Sequence, residues 1–93
     1  MTLPQRIRIV EVGPRDGFQA ESQLLPTELK VETINRLADA GIRDIEAVSF
    51  VHPRVIPQMA DADDVMARIT RRPGVRYLAL VPNLKGAERA LAA

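Results

Sequence analysis

The stretch RIRIVEVGPRDGFQ, residues 6–19, decides the fold class. Its first half, Arg6–Val12, alternates charged and β-branched residues, which predicts a strand with two different faces, and GPRDG then ends the strand with turn-forming residues. A doubly wound sheet would be expected to carry a G-x-G-x-x-G phosphate loop at this point. This loop instead places the charged Arg15 and Asp16 where backbone should approach phosphate. A barrel is therefore favoured, because barrels carry their chemistry on the loops that follow the strands.

Strands and helices alternate along the rest of the chain. The predicted elements after the first strand are a helix in residues 26–41 with Thr27 as its cap and Gly41 at its end, a strand at Arg43–Phe50, an irregular loop with two prolines, a helix in residues 61–74 stopped by Pro73-Gly74, a strand at Val75–Val81 and a helix in residues 82–93. The third strand is nearly continuously apolar, as expected of a parallel strand covered on both faces. The residues expected to pack inward from the helices are Val31, Ile34, Leu37, Ala38, Val65, Met66 and Ile69. This order predicts a parallel sheet with right-handed crossovers.

The length fits only part of the predicted architecture. The predicted fold class is α/β, a parallel (β/α)8 TIM barrel, and such a barrel usually needs about 250 residues. The 93 residues hold about the first three βα units, so we interpret residues 1–93 as the N-terminal part of one incomplete barrel domain. Three open strands would leave an unpaired edge and an uncovered inner face, so we expect the remaining units or a partner to close them.

Composition excludes several classes of function. The net charge is +1 without a basic stripe, and only three aromatic residues are available for stacking, so no nucleic-acid partner is expected. The lack of cysteine excludes disulfides, thiolate metal sites and cysteine nucleophiles. No stretch approaches the roughly 18 apolar residues of a membrane span, so no membrane association is expected. The N-terminus does not have the pattern of a signal peptide.

Polar side chains gather after the first predicted strand: Glu11, Arg15, Asp16, Gln19 and Glu21. An isolated R-D-G is most often a turn, in which Asp makes turn hydrogen bonds and Gly adopts positive φ. The position after a barrel strand favours a second interpretation. A carboxylate beside a fixed guanidinium can hold a hard divalent cation and an anionic substrate group together.

The second predicted strand contains a lone acid, Glu46, and burying it unpaired would be costly. Arg15 is its expected partner, while a purely structural bridge is an equally open alternative. The period of two places Glu46 and Val48 on one side of the strand and Ala47 and Ser49 on the other.

Two further residues follow the predicted strands. His52, the only histidine, is expected to be a surface or packing residue rather than a ligand. Asn83 follows the third strand and either starts the last helix or reaches the same rim as the first two polar loops.

Three segments in order, VEVGPRDGFQAE, IEAVSFVHPRVIPQMAD and VPNLKGAERA, closely resemble the N-terminal third of the 3-hydroxy-3-methylglutaryl-CoA lyase family. This family lies within a superfamily of metal-dependent lyase and acyltransferase barrels of the pyruvate-carboxyltransferase type. R-D-G alone is shared with isopropylmalate and homocitrate synthases. The preceding Gly13-Pro14, together with SFVHPRVIPQMAD and PNLKG, points to the lyase branch.

The resemblance implies a carbon-carbon lyase of the oxo-acid type, as in leucine catabolism, which cleaves an acyl-CoA substrate into acetoacetate and acetyl-CoA. It implies Mg²⁺ or Mn²⁺ as the divalent metal, with Asp16 as a ligand. Arg15 is then expected to stabilise the enolate-like charge on the departing thioester. Gln19 is expected to support substrate or metal-bound water, and Glu46 to order Arg15 and the proton-transfer site.

The resemblance also sets limits on this chain. Arg15, Ser49 and Asn83 are the expected substrate contacts, but the His-x-His metal pair, a later asparagine ligand and a lid cysteine of the family belong to later strands and loops. We therefore expect the 93-residue chain alone to be inactive and to bind metal weakly. The parent protein is expected to be a homo-oligomer. A bacterial-type cytoplasmic location is the simpler expectation, with the mitochondrial matrix as the alternative.

Two other functions stay open from the sequence. One is a sibling aldolase or Claisen-type synthase that shares Arg15 and Asp16 but acts on a different acyl-CoA or 2-oxo acid. The other is a non-catalytic interaction module that associates through its exposed sheet edge.

Overall fold

The computed structural model describes residues 2–93. Its three strands form one parallel sheet in the order β1-β2-β3, with helices between them. The elements are β1 (Val10–Glu11), a π-helical turn (Gly13–Gly17), α1 (Thr27–Asp39), β2 (Asp44–Ser49), a 3-10 turn (Pro57–Met59), α2 (Ala62–Arg68), β3 (Arg76–Leu80) and α3 (Leu84–Ala92). The predicted order of elements and the parallel sheet are confirmed.

Strand β1 is much shorter than predicted. It spans Val10–Glu11 instead of Arg6–Val12, and Val10 pairs with Asp44, the first residue of β2. Residues 2–9 therefore lie beyond the start of β2 and do not pair with it. Two apolar side chains that the prediction placed on this strand are consequently exposed, Ile7 at 77% and Ile9 at 66%.

The end of α1 follows the prediction, but its beginning does not. Gly41 has φ of 102°, its N–H donates to Ala38 O at 3.1 Å, and the N–H of Ile42 donates to Leu37 O at 3.1 Å. These two bonds form a Schellman cap, which needs the left-handed residue that glycine supplies. The prediction that Thr27 caps the helix was wrong, because Thr27 is the first helical residue and its hydroxyl donates to a distant carboxylate instead.

Helix α2 ends at Arg68, five residues before the proline that the sequence prediction used as its stop. Ile69 already has an extended backbone, with ψ of 149°. The N–H of Thr70 then donates to the side-chain oxygen of Asn35 on α1 at 2.9 Å. This contact to a neighbouring helix explains why the chain leaves α2 early.

The buried core lies between the sheet and its helices, and it includes most of the residues expected to point inward. Its members are Ile34, Ala38, Ile45, Ala47, Val48, Phe50, Ala62, Val65, Met66 and Ile69. The pairing of β2 with β3 is irregular between Glu46 and Val48, and adjacent Ala47 and Val48 are both buried. The period of two predicted for this strand is therefore interrupted.

Strand β3 is only half-buried, which corrects the prediction of a strand covered on both faces. Within residues 2–93 it is an edge strand, so one flank has no neighbour. Leu80 at its end is 41% exposed and Val81 after it 40% exposed. No helix in the described part of the chain has the length and apolarity to cross a membrane.

Candidate functional site

The turn after β1 is built by hydrogen bonds to the end of its own strand. The carbonyl of Val12 accepts from the N–H groups of Arg15 at 3.1 Å and Asp16 at 2.7 Å. A carboxylate oxygen of Glu11 accepts from the N–H of Gly13 at 2.9 Å, and a Cβ on that glycine would lie 2.8 Å from the same oxygen. The R-D-G sequence thus lies in a π-helical turn, but Gly17 does not have the positive φ that the prediction gave it, because its backbone follows the helical turn. The turn also fixes the backbone from which both charged side chains project.

Arg15 and Glu46 form the central contact of the site. The Nε of Arg15 donates to an Oε of Glu46 at 2.5 Å, and both side chains are 20% exposed. The adjacency of β1 and β2 in a parallel sheet explains the contact, because the turn after β1 lies beside the second half of β2. The predicted partner of Glu46 is therefore confirmed. A guanidinium held in this way offers its remaining N–H groups in a fixed direction.

Asp16 has a different environment from its neighbour. Its side chain is 67% exposed, and its nearest cationic atom is the Nη1 of Arg15 at 3.7 Å. An exposed carboxylate with free oxygens suits a hard divalent cation as one ligand. Within residues 2–93, however, no group of three or more histidine, aspartate or glutamate side chains is arranged to hold a metal ion. The described residues therefore fit one ligand of such a site and not the whole of it.

Two predicted site residues have buried oxygen atoms without a hydrogen-bond partner in the described part of the chain. These atoms are Oε1 of Gln19 and Oγ of Ser49, and Ser49 is completely buried at the end of β2. Unpaired buried oxygens are uncommon because each loses its hydration on folding. Because the described residues shield both atoms from solvent, a hydrogen bond to a bound molecule requires a local rearrangement.

Asn83 starts α3, as one of its two interpretations predicted. Its side-chain oxygen accepts from the N–H of Gly86 at 2.8 Å, an N-cap bond. Asn83 also lines a cleft of about 250 Å³ together with His52, Phe50 and Lys85. His52 is exposed, and its Nδ1 accepts from the N–H of Arg54 at 3.1 Å. The cleft lies near the carboxyl ends of β2 and β3, on the same edge of the sheet as Arg15.

Sequence reasoning missed two side chains that hold this edge together. Arg89 of α3 donates to Val51 O at 3.3 Å and to Asp63 at 2.9 Å, and its guanidinium lies 5.2 Å from the centre of the Phe50 ring. Nothing in the sequence around this arginine distinguishes it from an exposed helical charge.

The second missed side chain is Lys30, which is 5% exposed and forms an ion pair with Asp61 at 2.7 Å. A signal for it was present. Lys30 precedes Ile34 and Ala38 at a spacing of four, so it shares their buried helical face.

Comparisons with known proteins agree with the predicted resemblance. The family model described as HMGL-like matches residues 6–93. The chain is 53% identical over 92 residues to the mitochondrial hydroxymethylglutaryl-CoA lyase of Rattus norvegicus, covering 99% of this chain and 28% of that protein. The crystal structure of hydroxymethylglutaryl-CoA lyase from Pseudomonas aeruginosa is 51% identical with a TM-score of 0.93, covering 99% of this chain and 31% of that one.

A further similar structure contains ligands. The HMG-CoA lyase from Acinetobacter baumannii, in complex with coenzyme A and 3-methylmalate, is 45% identical with a TM-score of 0.89, over 99% of this chain and 30% of that chain. The chain thus spans about a third or less of the length of these relatives. The likeness to them confirms the predicted α/β fold class, with about three βα units of a parallel TIM barrel.

Proposed function

The chain belongs to the HMGL-like family, and we propose that it supplies the first catalytic loops of a hydroxymethylglutaryl-CoA lyase. The observation that carries the proposal is the Arg15–Glu46 contact, which sets a fixed guanidinium beside the exposed carboxylate of Asp16 at one edge of the sheet. The 53% identity to a named lyase supports the choice of reaction over that of a sibling synthase. In this proposal, residues 1–93 are the N-terminal part of a single barrel domain.

The reaction cleaves one carbon-carbon bond of 3-hydroxy-3-methylglutaryl-CoA. The tertiary hydroxyl loses its proton, its oxygen becomes the ketone of acetoacetate, and the bonding electrons pass to the acetyl thioester as an enolate. Protonation of the enolate carbon gives acetyl-CoA, so the atoms and the charge balance. Negative charge therefore develops on the thioester oxygen, and this charge is what the protein must stabilise.

Arg15 is suited to stabilising that charge. Its Nε is engaged by Glu46, which leaves the terminal N–H groups as donors with a fixed orientation. Donors that are already oriented need no rearrangement when charge develops, and single donors of this kind typically contribute about 10²- to 10³-fold in rate. In this proposal Glu46 orders Arg15 and the proton-transfer site.

Asp16 would hold the divalent metal, Mg²⁺ or Mn²⁺. When bound, the metal would act as a Lewis acid on substrate oxygens and orient the substrate. The exposed carboxylate fits one position in an oxygen-rich coordination shell. Residues 2–93 contain no complete group of ligands, so the remaining ligands would come from outside them.

The other polar residues of this edge would bind the substrate. Gln19 and Ser49 each have a buried oxygen free to accept a hydrogen bond, and Asn83 lines the cleft that α3 forms with the end of β2. An acyl-CoA is the proposed substrate class, supported by the coenzyme A in the similar Acinetobacter baumannii structure. We also propose that the parent protein is a homo-oligomer with a bacterial-type cytoplasmic location.

A chimera tests this function directly. In it, residues 2–93 of this chain replace the matching segment of the Pseudomonas aeruginosa lyase, and the release of acetoacetate and acetyl-CoA from hydroxymethylglutaryl-CoA is measured with Mg²⁺ or Mn²⁺. We expect turnover by the chimera and none by the 93-residue chain alone. A folded chimera without activity, beside an active Pseudomonas aeruginosa lyase, would refute the proposal.

A further inference from the structure

Lys30 is a buried cation at some distance in the sequence from the proposed catalytic loops. Its side chain is 6% exposed and lies on the inner face of α1 with Ile34 and Ala38. Removing an ammonium group from water is costly unless it is paired and fully hydrogen-bonded. Such a residue adds little net stability compared with an apolar side chain. Its contacts therefore indicate a role other than stability.

The ammonium group of Lys30 holds the segment between β2 and α2. Its Nζ donates to the backbone carbonyl of Gln58 at 2.5 Å and to Oδ1 of Asp61 at 2.7 Å. The second oxygen of Asp61 accepts from the hydroxyl of Thr27 at 2.7 Å. Two side chains of α1 therefore clamp both ends of the short stretch that leads into α2.

Gln58 extends this connection to the segment after β1 that carries Arg15 and Asp16. Its side-chain Nε2 donates to the carbonyl of Glu21 at 2.9 Å. The N–H of Glu21 donates to Phe18 O at 3.2 Å, and the N–H of Ala20 donates to Asp16 O at 3.1 Å. A path of hydrogen bonds and short chain segments thus runs from the buried ammonium group to the backbone of Asp16.

We propose that Lys30 is a positioning residue: it fixes Gln58 and, through Gln58, the segment that carries Arg15 and Asp16. It touches neither of these two residues itself. A buried cation suits this task because it binds a backbone carbonyl and a carboxylate at once, which an apolar side chain cannot do. The consequence of this role for turnover rests on the proposed function, whereas the structural role does not.

An effect on positioning can be separated from an effect on folding, because both charges of the Lys30–Asp61 ion pair can be removed together. The double variant Lys30→Met/Asp61→Leu removes both charges, so neither is left buried without its partner, and replacements of this kind are often neutral for stability. In the folded chimera we expect the amides of Asp16, Ala20 and Glu21 to exchange with solvent at least about tenfold faster. The amide of Phe50, which donates to Leu80 O at 2.9 Å within the sheet, is expected to keep its rate.

Two further variants complete the measurement. Gln58→Leu keeps the Lys30–Asp61 pair and breaks only the bond to Glu21, so it is expected to accelerate exchange of the same amides and also serves if the double variant does not fold. The control Glu32→Gln/Arg36→Gln removes an exposed pair on the same helix and is expected to change nothing. Unchanged exchange of the Asp16–Glu21 amides in Gln58→Leu, or in a folded double variant, would overturn the proposal.

Turnover gives a second, separate readout in the chimera. We expect the double variant to lower kcat at least about tenfold at an unchanged thermal midpoint, because misplaced catalytic groups slow the reaction without unfolding the protein. Full activity at an unchanged midpoint would contradict the positioning role. An inactive unsubstituted chimera would instead refute the proposed function, and the exchange measurement would then decide the role of Lys30 by itself.

Discussion

The guanidinium of Arg15 and the carboxylate of Glu46 lie 2.5 Å apart, although 31 positions separate them in the chain. Each side chain is 20% exposed, so each depends on the other for much of its polar contact. The contact joins the turn after β1 to β2, which makes it a structural bridge as well as a means of orienting Arg15. The two interpretations of Glu46 are therefore compatible, and the variants below separate them.

The variant Arg15→Gln in the chimera is expected to lower kcat by about 10²- to 10³-fold, because a fixed cationic donor beside the developing charge is lost. The readout is the steady-state release of acetoacetate. Arg36→Gln is the matched control, since that arginine is 77% exposed and forms an exposed ion pair with Glu32 one turn away. A loss for Arg15→Gln no larger than for the control would remove Arg15 from the mechanism.

The variant Asp16→Asn is expected to weaken Mn²⁺ binding to the chimera at least about tenfold, because a charged oxygen ligand becomes a neutral one. Isothermal titration calorimetry measures this affinity. Stability of the chain should change little, since the carboxylate is 67% exposed. Asp39→Asn, at a similarly exposed acid on α1, serves as the control, and equal affinities in both variants would speak against a metal at Asp16.

The variant Gly86→Ala is expected to destabilise the chain by about 1 to 3 kcal/mol, the usual cost of overpacking. A Cβ at this position would lie 2.5 Å from the carbonyl oxygen of Phe50, so α3 must move away from the end of β2. Urea unfolding of the chimera measures the change. Gly17→Ala meets no atom within 4 Å and is expected to cost far less, so equal losses in the two variants would contradict this account.

The variant Gly41→Ala is expected to cost about 1 to 2 kcal/mol, because a Cβ is strained in the left-handed region. The φ of Gly41 is 102°, and the Schellman cap of α1 depends on it. Asn tolerates this region better than Ala, so Gly41→Asn should unfold at a higher urea concentration than Gly41→Ala. The reverse order would show that α1 ends in another way in solution.

Local chemistry made much of the architecture predictable. Alternation of charged and β-branched residues indicated the first strand, and short apolar, β-rich runs indicated the other two. Gly41 and Asn83 marked helix ends because their roles depend on nearby backbone alone. The contact between Arg15 and Glu46 was predictable from two facts: a lone acid in an apolar strand needs a partner, and consecutive parallel strands place their carboxyl ends together.

The rest depends on contacts between distant parts of the chain. The length of β1 is set by where β2 begins, which no pattern within residues 6–12 encodes. Thr27 donates to Asp61 rather than capping its helix because a carboxylate from another segment lies within reach. Arg89 likewise contacts Asp63 on α2 and Val51 after β2, and no pattern near Arg89 encodes either contact.

The central claim, that Glu46 acts by holding Arg15, is tested most directly by a double-mutant cycle on kcat in the chimera with Arg15→Gln, Glu46→Gln and both together. Because two residues that act as one unit are strongly non-additive, we expect the loss in the double variant to be far smaller than the product of the two single losses. Losses that add in the double variant would show that the two side chains act independently and would contradict the account.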